Sequence, residues 1–176
     1  MTRRATLRAL RLLWIARFPR LFARLCTPDD RELGEWGEEI AARHLRSRGW
    51  RILARRLETS CAEVDLVALD RRTLVCVEVK TARLEPCPLP RVAGGPPRHG
   101  GGRDALDLVR WRPGARCDAR CIARLRRAAR LLLRTAGTGG RGRIASTRVD
   151  LIEVFWLTST GRARLVHHPD VRSPIR

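Results

Sequence analysis

Glu78-Val79-Lys80, inside the stretch TLVCVEVKTAR, sets a carboxylate and an ammonium two residues apart. Lysine and arginine together number 37, yet Lys80 is the single lysine, and Asn, Gln and Tyr are absent. Such a composition points to a coding bias that writes generic surface cations as Arg. A lysine kept under that bias offers a compact charge on a flexible stem, which a planar, always-protonated guanidinium does not replace. Upstream, Asp65 lies in AEVDLVALD. Oxygen donors such as Asp65 and Glu78 suit a hard divalent cation, Mg²⁺ or Mn²⁺, with the Val79 carbonyl between them as a further donor. Lys80 beside them can orient or deprotonate a water, or stabilise growing negative charge. Those are the parts that hydrolysis of a phosphodiester requires.

The two stretches must be neighbouring strands for this to hold. Alternate strand residues share a face, so Leu74, Cys76, Glu78 and Lys80 point one way and Val75, Val77 and Val79 the other. Glu63, Asp65, Val67 and Leu69 share a face, with Val64, Leu66 and Ala68 opposite. If Arg71-Arg72 is a two-residue hairpin loop, Asp70 pairs with Thr73. Asp65 then lies across from Glu78, and Glu63 across from Lys80. Neither loop residue is Gly or Asn, so a register displaced by one residue remains open. The plainer alternative is a solvated hairpin face with a Glu63–Lys80 ion pair. Against it, both faces of both strands are largely apolar, as in central strands. Facing carboxylates at the rim of such a core repel each other unless a proton or a cation intervenes. A third acid comes from a helix: Glu38, Ala41, Ala42 and Leu45 follow helical spacing, so Glu38 heads the core-facing stripe, with Glu39 nearer solvent.

The elements that position these residues are legible as periodicity. A helix is expected over Asp30–Ser47, with an Asp N-cap, acids in its first turn and Gly49 as its stop. Strands are expected over Trp50–Arg56, Ala62–Leu69 and Thr73–Thr81. Residues 84–116 hold most of the prolines and a glycine cluster, which reads as a basic loop or insertion. A second helix, CDARCIARLRRAARLLLRTAG, has Ile122, Leu125, Ala129 and Leu132 on one face and Arg on the other. The strands TRVDLIEVFWL and RARLVHH follow, around Ser159-Thr160-Gly161. The expected class is α/β, a mixed sheet flanked by helices.

Length and charge bound the rest. The 176 residues suit one domain with appendages: an N-terminal extension 1–30, a domain 31–168 carrying the insertion 84–116, and a tail 169–176. The net charge of +19 is uneven: +5 over residues 1–30, +1 over 31–85 and +13 over 86–176. A chain of this charge is expected to meet polyanions, nucleic acid above all. Few aromatics favour duplex backbone contacts over base stacking. The six cysteines form no CxxC and no zinc-like spacing, which leaves reduced thiols in a cytoplasm as the expectation. Leu7, Leu10, Trp14, Phe18, Leu21 and Leu25 make one helical stripe, interrupted by Pro19 and flanked by Arg. That stripe suits either an anionic membrane surface or the protein's own core. It is neither a signal peptide nor a bilayer span.

GEEIAARHLRSRGWRIL, AEVDLVALD, TLVCVEVKTAR, RLRRAARLLL and RVDLIEV resemble successive blocks of the YraN-type family of small bacterial proteins. That family is similar to the PD-(D/E)xK, restriction-endonuclease-like nucleases, and distantly to archaeal Holliday-junction resolvases. The resemblance covers about residues 31–85 and 117–157. It implies a restriction-endonuclease-like fold, with Asp65, Glu78 and Glu38 as Mg²⁺ (or Mn²⁺) ligands and Lys80 completing the catalytic set. It also implies a substrate of double-stranded or branched DNA. Two positions depart from the pattern: Ala62 stands where Gly usually precedes the Glu, and Cys121 replaces a common basic residue. The function so expected is metal-dependent phosphodiester hydrolysis. The alternatives are a nucleic-acid-binding module on the same fold that does not cut, and a membrane-surface adaptor led by residues 1–30.

Overall fold

A computed structural model describes residues 29–84, 113–136, 144–157 and 162–174. The expectations for the amphipathic stripe of residues 1–28, for most of the 84–116 insertion and for the Ser159-Thr160-Gly161 turn lie outside the described residues.

Helix α1 (Asp30–Ser47) starts where the sequence signals it. Asp29 accepts from the Glu32 N–H at 2.7 Å while the Glu32 carboxylate takes the Asp29 N–H at 3.2 Å, a reciprocal capping box. It ends in a tight left-handed turn at Gly49, φ +83°, where Gly49 N–H reaches Arg46 O and Trp50 N–H reaches Leu45 O. A side chain at that φ is strained, so the glycine is what lets the chain turn into the sheet.

Five strands follow: β1 (Arg51–Glu58), β2 (Glu63–Asp70), β3 (Thr73–Leu84), β4 (Ser146–Leu157) and β5 (Arg162–His168). They lie side by side in sequence order, antiparallel except for the parallel pair β3–β4. Between these two the chain crosses over through a 3-10 turn (Pro113–Arg116) and helix α2 (Ala119–Ala136). Strand β3 runs three residues beyond the expected Thr81, because β4 offers it ladder partners as far as Leu84↔Leu157. The apolar alternation that marks a strand in sequence has faded there at Arg83.

One helix covers each face of the sheet. Leu33, Trp36, Ala41, Ala42 and Leu45 of α1 pack on Leu66, Ala68, Val75, Val77, Ile152 and Val154. Trp36 meets Trp156 edge-on with ring centroids 4.2 Å apart. On the other face Leu125, Ala128 and Ala129 of α2 pack on Val67, Leu74, Cys76 and Val149. The central strands are therefore buried on both sides, as their unbroken apolar runs require. Val64 is an exception to strict alternation: it joins the α2 side rather than Leu66. The ladder to β3 ends at Leu66↔Val77, and from there β2 is held by β1 alone, at Leu57↔Val64 and Glu58↔Glu63. Among the described residues no helix is long and apolar enough to cross a membrane.

Candidate functional site

The hairpin register is the one expected from a two-residue loop: Asp70↔Thr73 leads through Val67↔Cys76 to Leu66↔Val77. One step further the strands part, and Asp65 and Glu78 stand at the fork. There the Asp65 Oδ2 accepts the Val79 N–H at 2.7 Å, so a side chain takes over from the backbone acceptor that the ladder no longer supplies. Lys80 Nζ donates to Glu78 Oε1 at 2.6 Å. Glu63 and Lys80, which the same register would set opposite each other if it continued, are not partners: Glu63 pairs instead with Arg56 at 3.5 Å. The ion pair of the plainer sequence reading does not form.

A cleft of about 490 Å³ opens at this fork, and Glu38, Asp65, Glu78 and Lys80 all line it. Glu38 reaches it from α1, Asp65 from β2, and the other two from β3. The approach of α1 to β3 depends on Gly37, where any Cβ would run into the side chain of Thr81. Arg83 and Arg116 complete the cationic side of the wall. A second cleft of about 270 Å³ reaches Asp65 and Glu78 from the α2 side, past Glu63, Cys121 and Arg124.

Crowded carboxylates leave an electrostatic signature. Burial first, then the negative charge of Glu78, pushes the Asp65 carboxyl from an ordinary 3.8 up to about 7. The Val79 N–H and Lys80 pull it down, and Glu38 adds to the rise. Burial also raises Glu38, against the opposing charge of Arg56. Its neighbour Glu39 differs: burial would raise it, but Arg43 and Arg55 bind it and hold it low. The core-facing and solvent-facing acids of α1 are thus chemically distinct. Burial disfavours the Lys80 ammonium, yet the hydrogen bond and charge of Glu78, with the charge of Asp65, hold its pKa above the ordinary value. Lys80 is a stored cation at neutral pH, not a free base.

Among the described residues no group of three or more His, Cys, Asp or Glu side chains is gathered closely enough to enclose a metal ion. The acids of this cleft are Asp65 and Glu78 from the sheet and Glu38 and Asp30 from α1, with Asp30 bound to Arg83 at 3.2 Å.

Two buried acids of β4 were not singled out in the sequence. Glu153, fully buried and the ladder partner of Lys80, accepts the Gly114 N–H at 2.9 Å and meets His168 Nε2 at 2.9 Å. It pins the 3-10 turn that carries Arg116 to the cleft. Asp150, also fully buried, is bound by Arg148 at 3.0 Å, His167 at 2.9 Å and the Asp170 N–H at 3.0 Å. Burial would raise its carboxyl, but His167, the Asp170 N–H and Arg148 hold it below the ordinary range. The signal was present as two acids within the apolar run VDLIEV and the pair His167-His168.

A mixed five-stranded sheet between two helices, with its acids at the fork of the central strands, defines a protein of the restriction-endonuclease-like α/β class in fold. Residues 37–93 match the model of the uncharacterised protein family UPF0102. A UPF0102 protein of Symbiobacterium thermophilum is 37% identical over 96 residues, covering 54% of this chain and 71% of that protein. One of Geotalea uraniireducens is 44% identical over 68 residues (39% and 54%), and one of Syntrophomonas wolfei 52% over 54 residues (31% and 47%). The chain spans about half the length of these last two relatives. It belongs to the UPF0102, or YraN-type, family.

Proposed function

We propose that this protein is a metal-dependent nuclease that hydrolyses phosphodiester bonds in nucleic acid, with DNA as the favoured substrate. The observation that carries the reading is the meeting of Asp65 and Glu78 at the β2–β3 fork, with Lys80 and Glu38 in the same cleft. A carboxyl driven up to about 7 by burial and by a second carboxylate is a position whose charge calls for a cation. Mg²⁺ keeps several waters and takes one or two protein carboxylates, so a facing pair fits it without a closed shell of three acids. Asp65 and Glu78 would hold Mg²⁺ or Mn²⁺, which supplies Lewis-acid charge for the scissile phosphate when bound. Glu38, desolvated and raised, can hold or release a proton to water in the cleft. The Lys80 ammonium is placed to offset negative charge growing on the phosphate, and its raised pKa favours that role over proton abstraction.

The test is cleavage of labelled single strands, duplexes, flaps, four-way junctions and RNA with Mg²⁺ or Mn²⁺, wild type beside Asp65→Ala and Glu78→Ala. Metal-dependent cutting lost in both variants is expected. Cutting that survives in both overturns the assignment.

One observation favours a second reading, a nucleic-acid-binding module that does not cut. The Lys80–Glu78 contact at 2.6 Å already engages one oxygen of a carboxylate that the proposed metal would use. Salt-sensitive binding with no cutting on any substrate, unchanged by metal or by Glu78→Ala, would select it.

A further inference from the structure

The two helices treat arginine in opposite ways. α1 carries five acids, and they pair with four arginines of α1 and β1: Arg31 with Glu35, Arg43 and Arg55 with Glu39, Arg56 with Glu35. α2 has no acid and six arginines, Arg120, Arg124, Arg126, Arg127, Arg130 and Arg134, all of them exposed. Among the described residues none of the six is paired with a carboxylate. At 100° per residue they fall within an arc of about 160°, opposite the buried Leu125, Ala128 and Ala129, and their ends are about 21 Å apart. Like charges three and four residues apart weaken a helix, a cost that a bound polyanion removes.

We propose that this acid-free face of α2 is the surface that holds the phosphate backbone of a double-stranded nucleic acid and leads it to the Asp65–Glu78 cleft. The proposal rests on the nucleic-acid reading above and gives it a partner form and a location. The face is continuous with the site: Arg124 and Cys121 line the same cleft as Asp65 and Glu78. At its other side Arg126 and Arg130 flank a notch of about 180 Å³ with Thr147 and Arg148. Asp170, itself bound to Arg172, also lines that notch.

Duplex is favoured over single strand because single-strand surfaces stack bases on exposed aromatic rings. The exposed face of α2 has none, and Leu53 is the one exposed large hydrophobic among the described residues. An anionic membrane is disfavoured for a related reason. An interfacial helix inserts its apolar face into lipid, whereas the apolar face of α2 is buried against the sheet.

The test uses the full chain in chelator, so that binding is read without cleavage. Anisotropy of a labelled duplex of about 20 base pairs is followed from 50 to 300 mM salt. Wild type is compared with Arg127→Gln/Arg130→Gln/Arg134→Gln, which leaves the cleft untouched, and with Arg43→Gln/Arg46→Gln/Arg48→Gln as an α1 control. Circular dichroism melts confirm that both variants fold. The α2 variant is expected to bind at least about tenfold more weakly, with the slope of log K against log salt shallower by about 2.7. The α1 control is expected to match wild type. An unchanged slope in the α2 variant, or an equal loss in the α1 control, overturns the proposal. So does α2-dependent binding that is as strong on phosphatidylserine vesicles as on duplex. A protein that binds through α2 but cuts no substrate leaves this surface standing and sinks the nuclease reading alone.

Discussion

Lys80 Nζ lies 2.6 Å from Glu78 Oε1, two residues back along the same strand, and draws its raised pKa from that carboxylate and from Asp65. A lysine so held keeps its proton, and its task in the proposed phosphodiester hydrolysis is then electrostatic. Lys80→Met is expected to slow single-turnover cleavage by about 10²–10³-fold, the usual cost of losing a charge-stabilising donor. Lys80→Arg keeps the charge but not the compact head, and is expected to retain about a tenth of the wild-type rate. If Lys80→Arg is as inactive as Lys80→Met, the lysine acts as a base and the electrostatic role is wrong.

Asp65 makes the metal-free fold pH-sensitive. Its folded-state pKa of about 7 lies above the ordinary 3.8, so the neutral carboxyl is the form that the fold prefers. The stability it contributes is complete below about pH 3.8 and is lost as pH rises through about 7. Asp65→Asn removes the titration. In chelator, denaturant melts at pH 5 and pH 8.5 are expected to show wild type losing about 3 kcal/mol more than the variant, since part of the loss has already occurred by pH 5. At pH 8.5 the Asp65→Asn protein is expected to be the more stable of the two. Parallel losses in both proteins would show that Asp65 ionises without penalty.

How much of this site was legible in the sequence follows from which physics each residue obeys. The Asp65–Glu78 juxtaposition was legible because strand alternation and a two-residue loop fix register, and the register holds from Asp70↔Thr73 to Leu66↔Val77. Glu38 was placed by helical spacing alone. What sequence reasoning missed depends on contacts between distant segments. Glu153 acquires its role only when the parallel ladder sets it beside Lys80 and the crossover brings Gly114 onto it. Lys80 pairs with Glu78 and not with Glu63, the alternative that the sequence already argued against, and the reason is now visible: β2 leaves β3 before Glu63 is reached. Alternation predicts which way a side chain points, not where a ladder stops.

Gly37 and Thr81, the latter in the wall of the cleft, form a coupled pair. A methyl group at Gly37 collides with Thr81, whose Oγ1 is itself buried without a hydrogen-bond partner. Gly37→Ala is expected to cost about 1–3 kcal/mol by forcing α1 away from β3. Thr81→Ala, which removes an unsatisfied hydroxyl, is expected to be neutral or mildly stabilising. The double variant is expected to recover at least half of the Gly37→Ala loss, a coupling of about 0.5–3 kcal/mol. Additive effects in urea melts would mean that the two side chains do not meet.

Asp150 is the keystone of the opposite end of the sheet, where it binds Arg148, His167 and the Asp170 N–H while fully buried. Arg148 also reaches Asp70 at 3.1 Å and lies over the Trp50 ring at 4.8 Å, so the acid fixes a cation at the exit of α1. Removing one partner from a buried ionic network strands the others. Asp150→Ala is expected to destabilise the fold by about 3–5 kcal/mol, and Asp150→Asn by less, since an amide oxygen still accepts. Because the Asp150 pKa is depressed, its contribution is present above the ordinary carboxylate range and lost as pH falls through the folded-state value. The gap between wild type and Asp150→Ala in urea melts is therefore expected to narrow on acidification from pH 7. A gap that stays constant from pH 7 down to acid unfolding would show that the ionised carboxylate is not what stabilises the network.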